Sequence, residues 1–208
     1  MRMSLRDILT GAALGALVGL AAALRQGRSR PAAHALGSAL LAAFMAAVFS
    51  VTGVSPVSGF HIGLRPEGLN LVPFAGIRAV SHSGFNSYAV RNILGNILLF
   101  LPLGFLTPAL FSRWRSLLKV TLLGLGTSLL IECTQLFLIR GTDVDDLLLN
   151  TLGTALGYGL YRFIALLRRG SGRAARLDGA LPPLLCVALP YLAVVLLGFL
   201  DRAACFAL

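Results

Sequence analysis

Residues 33–53 read AHALGSALLAAFMAAVFSVTG, a run without Asp, Glu, Lys or Arg, and residues 180–200 repeat the pattern with ALPPLLCVALPYLAVVLLGFL. Uncharged runs of about 20 residues are what an α-helix needs to cross a hydrocarbon core of about 30 Å. Four further runs, at 8–24, 92–111, 117–139 and 147–167, have comparable length and apolarity. The first of these is the weakest, being short and rich in Ala and Gly. Composition agrees: 57% of residues are hydrophobic and 12% charged, with a mean hydropathy of +0.84, far from the balance of a water-soluble domain. The helices fill a chain of 208 residues and leave no room for a soluble catalytic domain. The expected fold is therefore all-α: a polytopic helical membrane protein with five to six transmembrane helices and one long extracytoplasmic loop.

Sidedness follows from where Lys and Arg fall in the short loops. Arg25, Arg28 and Arg30 follow the first run, Arg113, Arg115 and Lys119 follow the third, and Arg168, Arg169, Arg173 and Arg176 follow the fifth. If six helices span, all of these lie on one side, which is the cytoplasmic one. The net charge of +10 is thus explained by orientation, and no basic stripe interleaved with aromatics points to nucleic acid. The opposite side receives Glu67, Asp143, Asp145, Asp146 and Asp201, together with the 54–91 segment. Arg2 and Arg6 fit less well, because they would sit outside. A first helix that does not span would remove that conflict and leave five.

Polar groups inside spanning helices cost roughly 2.5–3.5 kcal/mol on insertion scales when charged, so each needs a reason. In the fourth run, Ser128, Glu132 and Gln135 share one stripe. Asn92 and Asn96 stand one turn apart in the third, and Asp146, Asn150, Gly153 and Gly157 form a stripe in the fifth. At 1.5 Å per residue, Asn96 and Gln135 lie roughly 7–8 Å below the outer surface and Glu132 and Asn150 roughly 10–11 Å. Three helices thus bring polar groups to one level. A carboxyl at the depth of Glu132 must be protonated, paired with Arg91 or Arg140, or open to a water-filled cavity.

The stretch TDVDDLLLN divides its aspartates. Thr142 at the N-cap with Asp145 three residues on resembles a capping box, and acidic groups suit the positive end of a helix dipole. Asp143 and Asp146 lie within about 60° of each other around the helix and continue the stripe of Asn150, whereas Asp145 points away. The candidate cleft is therefore Asn92, Asn96, Glu132, Gln135, Asp143, Asp146 and Asn150, with Thr142 and Asp145 assigned to the helix start.

Gly11, Gly15 and Gly19 form a GxxxGxxxG face suited to close helix packing, within the chain or as a homo-oligomer. Pro102, Pro108, Pro182, Pro183 and Pro190 remove backbone donors from their helices. Cys133, Cys186 and Cys205 lack CxxC spacing, and His34, His61 and His82 lack ligand spacing, so neither a disulfide nor a metal site is expected, and no cofactor.

Four stretches, NLVPF at 70–74, NILGNILLFLPLGFLTP at 92–108, SLLIECTQLFL at 128–138 and DVDDLLLNTLGTALGY at 143–158, occur in an order that resembles the VanZ-like family of bacterial membrane proteins. The resemblance implies a multi-pass protein of the bacterial cell membrane, part of the cell envelope, whose namesake raises resistance to the glycopeptide antibiotic teicoplanin. It implies no settled reaction. On this reading the chain divides into an N-terminal helix and basic loop at 1–39, a VanZ-like core at 40–167, and a basic cytoplasmic loop with a C-terminal transmembrane helix at 168–208.

Three functions follow for comparison. The first is an envelope factor whose outward-facing polar cleft binds membrane lipids, a lipid-linked wall precursor or a lipoglycopeptide. The second is an intramembrane enzyme with Glu132 as acid or base and Asp143 and Asp146 on a divalent metal; no nucleophile, phosphate loop or His ligand supports it. The third is an ion-coupled transporter, which would want inverted repeats and polar groups through both leaflets, and neither is evident.

Overall fold

The computed structural model describes residues 5–25, 31–55, 69–75, 78, 87–138, 141–167 and 181–206. Among them are helices α1 (Leu5–Arg25), α2 (Pro31–Thr52), α3 (Ser87–Leu110), α4 (Leu117–Gln135), α5 (Val144–Leu167) and α6 (Leu181–Phe206). A short 3-10 turn, Ser112–Trp114, separates α3 from α4, and two-residue strands β1 (Leu69–Asn70) and β2 (Thr142–Asp143) pair in parallel. The all-α polytopic reading holds. His61, His82 and most of the 54–91 segment lie outside the described residues.

Five helices, α1, α2, α3, α4 and α6, are long and apolar enough to cross a membrane. So α1, the doubtful one in the sequence, qualifies, while α5 falls short on apolarity. The reason is the polar side of α5, where Asp145, Asn150 and Thr154 are buried against neighbouring helices. Its 24 residues still extend roughly 36 Å, enough to run beside the others through a bilayer core.

Two groups of helices meet. In one, α1 and α6 pack on α2; in the other, α3 and α4 pack on α5, and α2 joins the groups through α3. Leu41, Met45, Val48 and Phe49 of α2 and Phe100 and Leu103 of α3 are buried at the centre. Leu9, Leu17, Leu40, Leu98, Leu118, Leu122, Leu192 and Leu196 point outward and are exposed. So many outward leucines would be an aggregation surface in water and are the ordinary face of a helix in lipid.

Glycines set the two closest helix contacts. Gly11, Gly15 and Gly19 are buried against α2, where added Cβ atoms would collide with Ala46, with the carbonyl of Ser38 and with the carbonyl of His34. The GxxxGxxxG face thus packs against α2 within the chain. On α5, Cβ atoms at Gly153 and Gly157 would run into the carbonyls of Ile97 and Leu101 of α3.

The helix ends depart from the apolar runs in several places: α1 starts three residues earlier, α3 five earlier and α6 ends six later, and two more shifts meet at the α4–α5 turn. Helix α4 stops at Gln135, four residues earlier than its apolar run, and α5 starts at Val144, three residues earlier than its own. At the end of α4 the backbone goes over to tighter turns, with the Phe137 N–H on Thr134 and the Leu138 N–H on Gln135, and the earlier start of α5 is capped by a side chain, as described below. Pro182 and Pro183 occupy the first turn of α6, where no donor is needed, and Pro102, Pro108 and Pro190 lie inside helices.

Candidate functional site

The chain reverses between α4 and α5 through a tight polar crossing. Glu132, buried one turn before the end of α4, uses Oε2 to accept the backbone N–H of Asp143 at 3.0 Å. Thr142 donates its hydroxyl to the Glu132 carbonyl at 3.2 Å. That carbonyl, in the last turn of α4, also accepts the N–H of Leu136 at 3.1 Å.

This corrects the expected helix start. Thr142 is not the cap; Asp143 is, its Oδ1 accepting the N–H of Asp145 at 2.8 Å. The cause is the β1–β2 pairing, which holds Thr142 and Asp143 extended and delays the first helical residue to Val144. Asp145 is buried, and its carboxylate accepts the N–H of Phe74. It therefore anchors the NLVPF stretch as well as lying in the first turn of α5.

That stretch closes over the helix start. Asn70 pairs with Asp143 in the strand register and donates Nδ2 to its Oδ1 at 2.9 Å. Phe74 has φ 64°, a left-handed conformation unusual outside Gly, and it is held on both sides: its N–H by Asp145, its carbonyl by the Arg78 N–H at 2.9 Å. Neither Asn70 nor Phe74 was singled out as a site residue from the sequence, although both belong to a stretch that carries the family resemblance.

From the other wall, α3 presents Asn96 and Asn92 to Asp146. Asn96 donates Nδ2 to Asp146 Oδ1 at 2.5 Å, and Asn92 reaches the same oxygen at 3.5 Å. Deeper, Asn150 donates Nδ2 to Ser128 at 2.9 Å, joining α5 to α4. Gln135 donates Nε2 to the Thr52 carbonyl at 2.8 Å. That carbonyl is left available because Gly53, with φ 77°, ends α2 and turns the Val54 N–H back to Phe49 at 3.2 Å. A backbone acceptor of this kind leaves no mark in the sequence.

These groups surround one cavity of about 520 Å³. Asn92, Asn96, Glu132, Gln135, Asp143, Asp146 and Asn150, the full candidate cleft, line it, with Val51, Thr52, Gly95, Leu99, Ile131 and Gly141. Asp145 and Thr142 are not in its wall. Leu99 and Ile131 are apolar members of that wall, and below it α4 carries the buried Ser128 and Thr127. Arg140 and the side chain of Arg91, the cations expected near Glu132, lie outside the described residues.

The cavity is at the end of the bundle opposite the basic turn. Lys119 is in the first turn of α4 and donates to the Arg113 carbonyl at 3.2 Å, while Glu132 and Gln135 are in its last turns. At that basic end, Tyr158 of α5 donates to the Arg115 carbonyl at 3.2 Å and the Arg115 guanidinium lies 5.9 Å from the Tyr161 ring centre.

A second polar cluster, absent from the sequence reading, sits at the N-terminus of α1. Arg6 forms a two-pronged ion pair with Asp201 of α6, at 2.7 and 2.8 Å. Asp7 is buried and accepts the Ser50 hydroxyl at 2.9 Å. Ser50 precedes Val51 and Thr52 of the cavity wall, so the start of α1 lies at the cavity end. Arg6 is thus a basic residue at the cavity end, ion-paired with Asp201. A carboxylate at the start of an apolar helix was the available signal for Asp7.

Chemically, the cavity offers carboxylates that accept and amides that both donate and accept. Among the described residues no group of three or more His, Cys, Asp or Glu side chains is arranged to hold a metal ion. A sequence model of the VanZ/LLP1 family matches residues 36–166, well over half of the chain and all of the cavity wall. No curated protein and no solved structure matches the chain.

Proposed function

The chain belongs to the VanZ/LLP1 family and is a membrane protein of VanZ type; from that premise we propose that it acts in the bacterial cell membrane as a multi-pass envelope protein whose outward-facing cavity binds the polar head of an amphiphile. Glycopeptide susceptibility of the teicoplanin type is the phenotype to which such binding contributes. The observation that carries this reading is the convergence of six polar side chains from three helices, with Asp143 of β2, on one cavity at the end away from the basic turn. Desolvated polar groups this numerous are costly unless something polar meets them.

The enzyme reading is weaker because each carboxylate is already engaged by an N–H donor: Glu132 by Asp143, Asp143 by Asn70 and Asp145, and Asp146 by Asn96. The transporter reading is weaker because no inverted repeat is evident in the sequence. Replacing Glu132→Gln and Asp146→Asn, each near-isosteric, tests the proposal in cells carrying the protein at matched membrane levels. Teicoplanin susceptibility shifts if the cavity works as described; unchanged susceptibility in both variants removes the cavity from the phenotype.

A further inference from the structure

The hydrogen-bonding capacity left over in the cavity wall narrows the chemistry of what fills it, and the argument rests on the binding role proposed above. Four amides line the cavity, and each is fixed through its nitrogen: Asn92 and Asn96 to Asp146, Gln135 to the Thr52 carbonyl, Asn150 to Ser128. An amide nitrogen carries two hydrogens and its oxygen two lone pairs, so each of these side chains is oriented by one bond and keeps both a donor and an acceptor.

Asn150 shows this most sharply. It is 2% exposed, yet its Oδ1 has no hydrogen-bond partner in the protein. Buried oxygens are almost always met by a donor, and the cavity that Asn150 borders is the space beside it from which one can come. Glu132, Asp143 and Asp146 add acceptors around it.

We infer that the cavity takes a hydroxyl-rich group, the sugar of a membrane glycolipid or lipid-linked glycan. A hydroxyl donates and accepts at once, which is what a wall of carboxylates and half-used amides can satisfy. A phosphate only accepts and would leave the amide and carboxylate oxygens without donors. An ammonium only donates and would leave the amide hydrogens unmet. Leu99 and Ile131 give the C–H face of a sugar ring an apolar surface to lie against. A volume of about 520 Å³ accommodates one or two sugar rings.

The test uses the full chain in phosphatidylcholine nanodiscs doped with equal amounts of glucosyl diacylglycerol, diacylglycerol, phosphatidylethanolamine and phosphatidylglycerol of matched acyl chains. Retained lipid is read by native mass spectrometry. The glucosyl lipid is expected to be retained about tenfold over diacylglycerol, the scale of one or two hydrogen bonds to charged groups. Two variants locate it: Asn150→Leu, and Gly95→Leu, which fills the cavity from a position where an added Cβ meets nothing within 4 Å and so spares the fold. Both are expected to abolish the preference. Displacement by soluble methyl glucoside supports sugar recognition and names a soluble source; no displacement names the lipid. Preference for phosphatidylethanolamine or phosphatidylglycerol, or equal retention of glucosyl lipid and diacylglycerol, overturns the sugar and leaves the binding role standing. Retention of every lipid unchanged in Gly95→Leu overturns both.

Discussion

The carboxylate of Glu132 and the backbone N–H of Asp143 meet at 3.0 Å, tying the last turn of α4 to the first residue before α5. A buried acid in an apolar helix is thereby given a fixed donor, and the loop between the helices is given a fixed register. Shape and polarity at this crossing depend on the same side chain.

Glu132→Ala leaves the Asp143 N–H without its partner and should cost about 1–3 kcal/mol. Glu132→Gln keeps an acceptor oxygen and should cost less than half as much. Unfolding of the two variants in mixed micelles orders them, and equal loss would show that the Asp143 bond contributes nothing.

Asp146 and Asn96 should be energetically coupled. A double-mutant cycle with Asp146→Ala and Asn96→Ala is expected to return roughly 1–2 kcal/mol. Additive effects, within about 0.3 kcal/mol, would mean that the α3–α5 contact is held by the glycines alone.

Packing predicts opposite outcomes for glycines of α5 and α4. Gly153→Val and Gly157→Val drive side chains into the α3 backbone and should prevent accumulation of folded protein. Gly126→Ala meets nothing within 4 Å and should be neutral or stabilising by up to about 1 kcal/mol, as expected for removing a mid-helix glycine. Expression with size-exclusion profiles separates the cases.

The helices and the converging polar level were legible in the sequence because both come from periodicity: apolar length sets the spans, and spacing of three to four residues places Glu132, Gln135, Asn96, Asp146 and Asn150 on facing stripes. Local chemistry at the α4–α5 crossing was not. Thr142 looked like the cap because Ser, Thr, Asp and Asn are interchangeable there by type. What decides for Asp143 is the β1–β2 pairing, a contact between residues 69–70 and 142–143. The Thr52 carbonyl and the Phe74 N–H escaped for a similar reason, since a backbone group has no letter of its own. The Gly11, Gly15 and Gly19 face was visible, but only the packed chain shows that α2 occupies it.

Arg6 and Asp201 bear on topology. With Asp201→Asn, Arg6 loses its ion-pair partner, and an unpaired arginine ahead of α1 should pull the N-terminus toward the cytoplasm. An N-terminal reporter should move toward the cytoplasm in that variant and return in Arg6→Gln/Asp201→Asn. A reporter that never moves would show that the ion pair only packs α1 on α6.

The central claim, that the cavity opens to the outside, is tested most directly by thiol labelling. In a chain with Cys133, Cys186 and Cys205 replaced by Ala, Gly95→Cys puts a single thiol in the cavity wall with room around it, and Lys119→Cys puts one at the basic end. A membrane-impermeant maleimide applied to intact cells should label Gly95→Cys and should label Lys119→Cys only after the membrane is opened. Labelling of Lys119→Cys in intact cells with Gly95→Cys silent until permeabilisation would contradict the account.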